Sequence, residues 1–312
     1  MDGIENTNLA GRAIDSIEGA AGKFPGRKRA HARGSSYKGT FKPNGKAAYL
    51  TSAPHLQGGE VPAIVRFSNS STNPGHSDAL TPPKGMAVQF QLPDGDVTNL
   101  VCTTVPLFFA KTPESFTKII ELFASIRKGK PDLKSLAGIV KDFPESKAFI
   151  ELIQEVRLPA SYAAAPYYSI HAFYLTTGEG GRQAVKFIWE PEEGVSMYTK
   201  KEAAGHLGET YLETELDERL AKGPVRFTLS VQLGEKDDPT DDPTVLWPGD
   251  RQKIAVGELT VNRRLEDSNE EFFDPTILPE GIECSEDPIL HFRHEAYHES
   301  RKRRESEKKE GL

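Results

Sequence analysis

Only two cysteines, Cys102 and Cys284, occur among the 312 residues. They allow one disulfide at most and lack the close spacing of a thiolate metal site, which excludes a disulfide-rich scaffold. Free thiols in a reducing cytoplasm are the expectation. Long apolar runs are also missing. No stretch approaches the roughly 20 apolar residues that span a bilayer. The opening MDGIENTNLAGRAIDS is acidic and polar where a signal peptide has a basic and then an apolar segment. A cytoplasmic chain with no membrane partner is therefore expected. Excess positive charge is absent too: the formal net charge is -7, so the summed field repels a phosphate backbone and argues against nucleic-acid binding. The basic run Arg301, Lys302, Arg303, Arg304 is a local feature with its own explanation.

What is present is enough apolar material for a sizeable core, 37% hydrophobic against 27% charged residues. Leu9, Ile14, Ile17 and Ala21 recur on one side of a helix over about 9–24, which Pro25 and Gly26 end. From about 28 onward the pattern turns to strands, RGSSYKGTF, AIVRFSN, GMAVQFQL and VTNLVCTT, separated by turn clusters such as NPGHSD and LPDGD. A helix then starts with Thr112 as N-cap and Pro113 at its first position. Two more helical patterns lie between Leu133 and Arg157. YSIHAFYLTT and AVKFIWEP read as a hairpin around GEGG. A helix over ETYLETELDERLAKG, the strands FTLSVQLGE and KIAVGELTVN, a solvated acidic loop DDPTDDP and a C-terminal helix over about 287–304 complete the chain. Strands far apart in sequence with helices between them predict one α+β domain over 1–312, an antiparallel sheet or barrel reaching about 264.

Short motifs offer little on their own. The glycines of TTGEGGR precede a strand, so no helix N-terminus is there to cradle a phosphate. The serine of RFSNSS lacks the strand-to-helix elbow of a hydrolase nucleophile. His294 and His298 have the i, i+4 spacing of a helical metal pair, yet spacing alone favours a solvated helix face.

Taken in order, longer segments carry more. RKRAHARGSSYKGTF, VPAIVRFSNSS, PPKGMAVQFQLPDGDVTNLVCTTVPLFFAKTPESF, YYSIHAFYLT, LWPGDRQKIAVGELTVNR and FFDPTILPEGIECSEDPILHFRHEAYHESRKRR follow one another over about 24–304. Together they resemble the haem catalases, and more closely the short catalase-related peroxidases. The resemblance implies a catalase-like antiparallel barrel, haem b as cofactor and Tyr297 as the phenolate ligand of its iron. It further implies His31 as the distal histidine, Ser68 as the hydroxyl bonded to it, and Arg66 and Arg304 as propionate partners. Phe116 would pack near the haem, and His171 and Asp287 would lie on the proximal side with Arg293. A third propionate partner, an arginine in the family, corresponds here to Lys28, with Arg27 and Arg29 beside it.

These residue types suit the implied chemistry. A tyrosine hydroxyl ionises near pH 10 in water, about three units too high, so a phenolate ligand needs positive charge nearby as well as the metal. Arg293, four residues before Tyr297, shares a helix face with it. A neutral histidine suits proton transfer to and from a peroxide near neutral pH. Thr103 departs from the distal asparagine of full catalases, and a hydroxyl has one donor where an amide has two. The chain stops soon after its last helix, so wider access and no NADPH site are expected. The resulting expectation is a peroxidase acting on organic hydroperoxides and hydrogen peroxide with a small-molecule electron donor and weak catalase activity, a homodimer by its size. A hydroperoxide isomerase or dehydratase, and a haem carrier or sensor without turnover, are the alternatives.

Overall fold

The computed structural model describes residues 2–126, 133–199, 201–202, 208–266 and 271–311. Helix α1 (Asp2–Ala21) leads into strands β1 (Gly34–Pro43), β2 (Val61–Asn69), β3 (Lys84–Gln91) and β4 (Val97–Thr103). Helices α2 (Pro113–Ile126), α3 (Leu133–Asp142) and α4 (Lys147–Glu155) follow, then short strands β5 (Leu158–Pro159), β6 (Tyr167–Tyr168) and β7 (Phe173–Thr176). Next come β8 (Arg182–Pro191), β9 (Met197–Tyr198) and helix α5 (Tyr211–Leu220). Strands β10 (Val225–Leu233), β11 (Lys253–Arg264) and β12 (Ile282–Cys284) precede the last helix, α6 (Pro288–Lys309).

Antiparallel pairing runs β10, β11, β1, β2, β3, β4, β6, β8 and returns from β8 to β10, so eight strands close on themselves. Closure leaves no edge along that circuit. Strand alternation fills the interior: Tyr37, Phe41, Phe67, Phe90, Trp189 and Phe227 are almost wholly buried. Phe41 meets Phe90 and Trp189 edge-on, with ring centroids at 5.2 and 6.0 Å. Burying each such side chain contributes about 1.5–3 kcal/mol before chain entropy is subtracted. The same alternation turns Arg66 and Ser68 away from that interior, onto the face opposite the inward Val65 and Phe67.

Several expected elements differ in detail. Helix α1 starts earlier than 9 and ends at Ala21, because Gly22, with φ of 90°, closes it by donating to Glu18 O at 2.8 Å. It lies on α2 and α6, where Ala10 and Ala13 pack with Phe292. YSIHAFYLTT is one sequence run but two strands, with β6 and β7 interrupted at Ser169–Ala172. There Ser169 Oγ accepts from Phe187 N at 2.8 Å and donates to His171 O at 3.0 Å. The acidic DDPTDDP loop is less solvated than expected, since Asp238 is buried against Arg251 and Asp242 pairs with Lys111. Both cysteines are free. Among the described residues, no helix is long and apolar enough to cross a membrane.

Candidate active site

The outward face of β2, β3 and β4 carries one wall of the site. In register across these strands, Gly34 opposes Ser68, Ser68 opposes Gly85, and Gly85 opposes Thr103, forming one row. The His31 ring lies over this row, with Nδ1 2.9 Å from Ser68 Oγ. A Cβ at Gly85 would stand 2.8 Å from that nitrogen and 2.7 Å from Ser68 Oγ, so only glycine leaves the imidazole its place. His31 also has a left-handed backbone, φ 51°, which costs about 1–3 kcal/mol for a residue with a Cβ. Arg66 holds the strained peptide by donating from Nη2 to His31 O at 2.9 Å. A Cβ at Gly34 would stand 2.8 Å from the Arg66 guanidinium. Burial, and then the charges of Arg66, Arg293 and Lys84, push the His31 pKa down to about 3.

A group of cations lies to one side. Arg66 is buried and its Nε has no hydrogen-bond partner among the described residues; burial lowers its pKa to about 10. Burial also lowers Lys28, to about 7, and the charges of Arg66, Arg304 and Arg301 press in the same direction. Lys28 Nζ donates to the backbone oxygen of Glu271 at 2.9 Å. Arg29 is engaged elsewhere, donating to Glu18 at 2.6 Å and to Glu307 at 2.5 Å, and Arg27 is exposed. Of the three neighbouring basic residues, then, Lys28 feels both Arg66 and Arg304, whereas Arg29, whose charge also acts on Arg304, is held by carboxylates. Arg303, in the basic run, pairs with Asp15, Glu18 and Glu299 and ties α6 to α1.

Helix α6 supplies the opposite wall. Asp287 is its N-cap, accepting from Ile289 N and Leu290 N through Oδ1. Its other oxygen, Oδ2, lies 2.6 Å from His171 Nδ1. His171 Nε2 lies 2.9 Å from Arg293 Nη1, and Arg293 Nη2 donates to the Tyr297 hydroxyl at 2.7 Å. Arginine cannot accept a hydrogen bond, so Nε2 of His171 is the acceptor and its proton sits on Nδ1, facing the carboxylate. Burial lowers the His171 pKa and favours this neutral tautomer. The break between β6 and β7 is what turns His171 into the chain Asp287, His171, Arg293, Tyr297. Phe116 packs against Phe108, Phe109 and Phe292, the last of these next to Arg293 on α6. The charge of Arg293 acts on His31, so the two walls border a common space.

The model of the catalase family, described as "Catalase", matches residues 21–312. The chain belongs to the catalase family. It is 37% identical over 298 residues to a catalase-related peroxidase of Mycolicibacterium paratuberculosis, covering 94% of each chain. A catalase-related peroxidase of Synechococcus elongatus is 31% identical, with 92% of this chain and 86% of that one covered. Catalase isozyme 2 of Nicotiana plumbaginifolia is also 31% identical, but this chain spans 59% of its length. A fungal catalase structure shares the fold at a TM-score of 0.79 and 21% identity, covering 90% of this chain and 60% of that one. This catalase-family protein is accordingly an oxidoreductase acting on peroxide, and its family binds haem.

The residues fit that group. Two propionates and a phenolate are anionic, and here Lys28, Arg66 and Arg304 converge beside a tyrosine hydroxyl that already accepts from an arginine. The buried Arg66 Nε has a donor to spare. Sequence reasoning overlooked Gly34 and Gly85, whose signal is a glycine inside a strand marking close approach of another group. It also overlooked the Asp287 cap, which a helix-starting Asp-Pro pair advertises.

Proposed function

We propose that the protein is a haem b peroxidase that reduces organic hydroperoxides and hydrogen peroxide with electrons from a small-molecule donor, releasing little oxygen from hydrogen peroxide. The observation that best supports this reading is the pairing of two walls: His31 with Ser68 on one side, and the Asp287, His171, Arg293, Tyr297 chain on the other. Haem, when bound, supplies an iron that takes two oxidising equivalents from the peroxide, with Tyr297 as its ligand. Arg293 donates to the Tyr297 oxygen and so holds the ligand atom in place. Lys28, Arg66 and Arg304 hold the propionates.

His31 moves the proton. His31 Nδ1 lies 2.9 Å from Ser68 Oγ; in the tautomer that donates from Nδ1, Nε2 carries the lone pair for the substrate. It accepts the hydroperoxide proton and returns it to the leaving oxygen, so that ROOH with two electrons and two protons gives ROH and water. Its depressed pKa keeps that lone pair available at neutral pH. Thr103, in the row with Gly85 and Ser68, offers one hydroxyl to a bound peroxide. Phe116 contributes to the apolar lining. The free thiols and the chain's size favour a cytoplasmic homodimer.

The test compares cumene hydroperoxide reduction with a dye donor against oxygen evolution from hydrogen peroxide. Dye oxidation that outpaces oxygen release is expected. Vigorous oxygen evolution without dye oxidation would refute the reading, and rearranged product without donor would indicate an isomerase.

A further inference from the structure

His294 and His298 stand one turn apart on the exposed side of α6, flanking Tyr297 in sequence. Both side chains are about half exposed, 46% and 52%, and both face one buried carboxylate, Asp274. Asp274 is fully buried and rigidly held. Its Oδ1 accepts from Thr276 N at 2.9 Å and from Thr276 Oγ1 at 2.7 Å. Its backbone oxygen accepts from Asn99 Nδ2 at 3.0 Å. The remaining oxygen, Oδ2, points at the two imidazoles.

The distances are informative. His294 Nδ1 is 2.7 Å from Oδ2, whereas His298 Nε2 is 3.8 Å from the same atom, beyond a hydrogen bond. The three donor atoms all lie within 4.8 Å of one another. Donors about 2.0–2.2 Å from one ion at tetrahedral angles sit roughly 3.3–3.6 Å apart, a value that the two measured separations bracket. Small turns of the exposed imidazoles would bring all three onto one ion.

We propose that Asp274, His294 and His298 form a binding site for a first-row divalent cation of the zinc class. Two imidazoles and one carboxylate are borderline donors that suit Zn2+, Co2+ or Ni2+ over Ca2+ or Mg2+. The half-exposed imidazoles leave the outer side of the ion to water. Thr276 supplies the outer hydrogen bonds that orient the carboxylate. Such an ion ties the segment carrying Phe272, Phe273 and Asp274 to the helix that carries Tyr297. Phe272 already meets Tyr297 and His298 edge-on, with ring centroids at 6.4 and 4.8 Å. The site is distinct from the pocket between His31 and Tyr297, and the proposal does not depend on which peroxide is turned over.

The haem-loaded full chain, treated with chelator and then titrated with ZnCl2 in a calorimeter, tests it. One Zn2+ per chain is expected, with affinity lowered at least about tenfold in His294→Ala and in His298→Ala. Affinity should be unchanged in His291→Ala, an exposed histidine of the same helix. The thermal midpoint of the wild-type protein should rise with saturating Zn2+, while that of His298→Ala should not. No saturable uptake, or uptake by both site variants with the wild-type affinity, would overturn the proposal. Because both imidazoles are half exposed, the variants should fold, and an unchanged haem absorption band checks that they do.

Discussion

At the scale of single residues, the site is dominated by the contrast between neutral histidines and crowded cations. His31 is held uncharged by burial and by three nearby positive groups. A histidine with its folded pKa near 3 stays a proton acceptor through the whole range in which an ordinary one, near about 6.5, would be lost. The pH profile of kcat/KM for hydroperoxide should therefore show no acid limb between pH 7 and 5. His31→Ala should lower turnover by about 100- to 10,000-fold while haem is retained, and an unimpaired variant would assign the protein to haem carriage. Lys28 and Arg29 are adjacent in sequence and opposite in role. Lys28→Ala should release haem faster in a transfer assay with little change in thermal stability. Arg29→Ala should strip Glu307 of its shortest contact, leaving it to Lys23 and Gly26 N, and lower stability by about 1.5–3 kcal/mol in denaturant titration. Equal effects in both assays would contradict this division.

At the scale of elements, the strands are where sequence and structure agree most closely and where the sequence was least complete. The alternation of VRFSN reveals that Arg66 and Ser68 share a face, and i, i+4 spacing reveals that Arg293 and Tyr297 do. Glycine's contribution was hidden because it consists of space. Gly34 and Gly85 act through the space they leave to the Arg66 guanidinium and the Phe67 backbone oxygen, and to the His31 ring and Ser68 Oγ, contacts that periodicity does not detect. The interruption of β6 and β7 was equally hidden, since Ser169 replaces a ladder contact with its hydroxyl and leaves the apolar pattern intact. Gly85→Ala follows from this geometry. Its methyl group should displace His31, lowering turnover at least about tenfold while the proximal absorption features stay as in the wild type. Retained activity would mean that the close packing over Gly85 is unimportant.

At the scale of the whole molecule, closing the barrel joins β8 to β10 and β1 to β11. No local pattern announces such pairings; the resemblance along the chain made the barrel legible, whereas the run of strands alone left sheet and barrel open. Closure also buries His55, whose Nδ1 has no hydrogen-bond partner and whose ring lies 4.7 Å from that of Phe90. Burial lowers its pKa to about 3. Its folded pKa is below its unfolded one, so stability is complete above about pH 6.5 and falls as acid protonates the unfolded chain first. At pH 5 the loss from this residue alone is about 2 kcal/mol. His55→Leu should flatten the decline in unfolding free energy between pH 7 and 5 by roughly that amount, and a slope equal to wild type would show that His55 does not titrate as described.

The proposed function requires haem held by Tyr297 opposite His31. The most direct measurement is the visible absorption spectrum of the protein expressed with ample haem supply, beside that of Tyr297→Phe. A Soret band in the wild type, shifted or lost in the variant while His31→Ala retains it, is the expected result. No Soret band in the wild type, or identical spectra for wild type and Tyr297→Phe, would contradict the account.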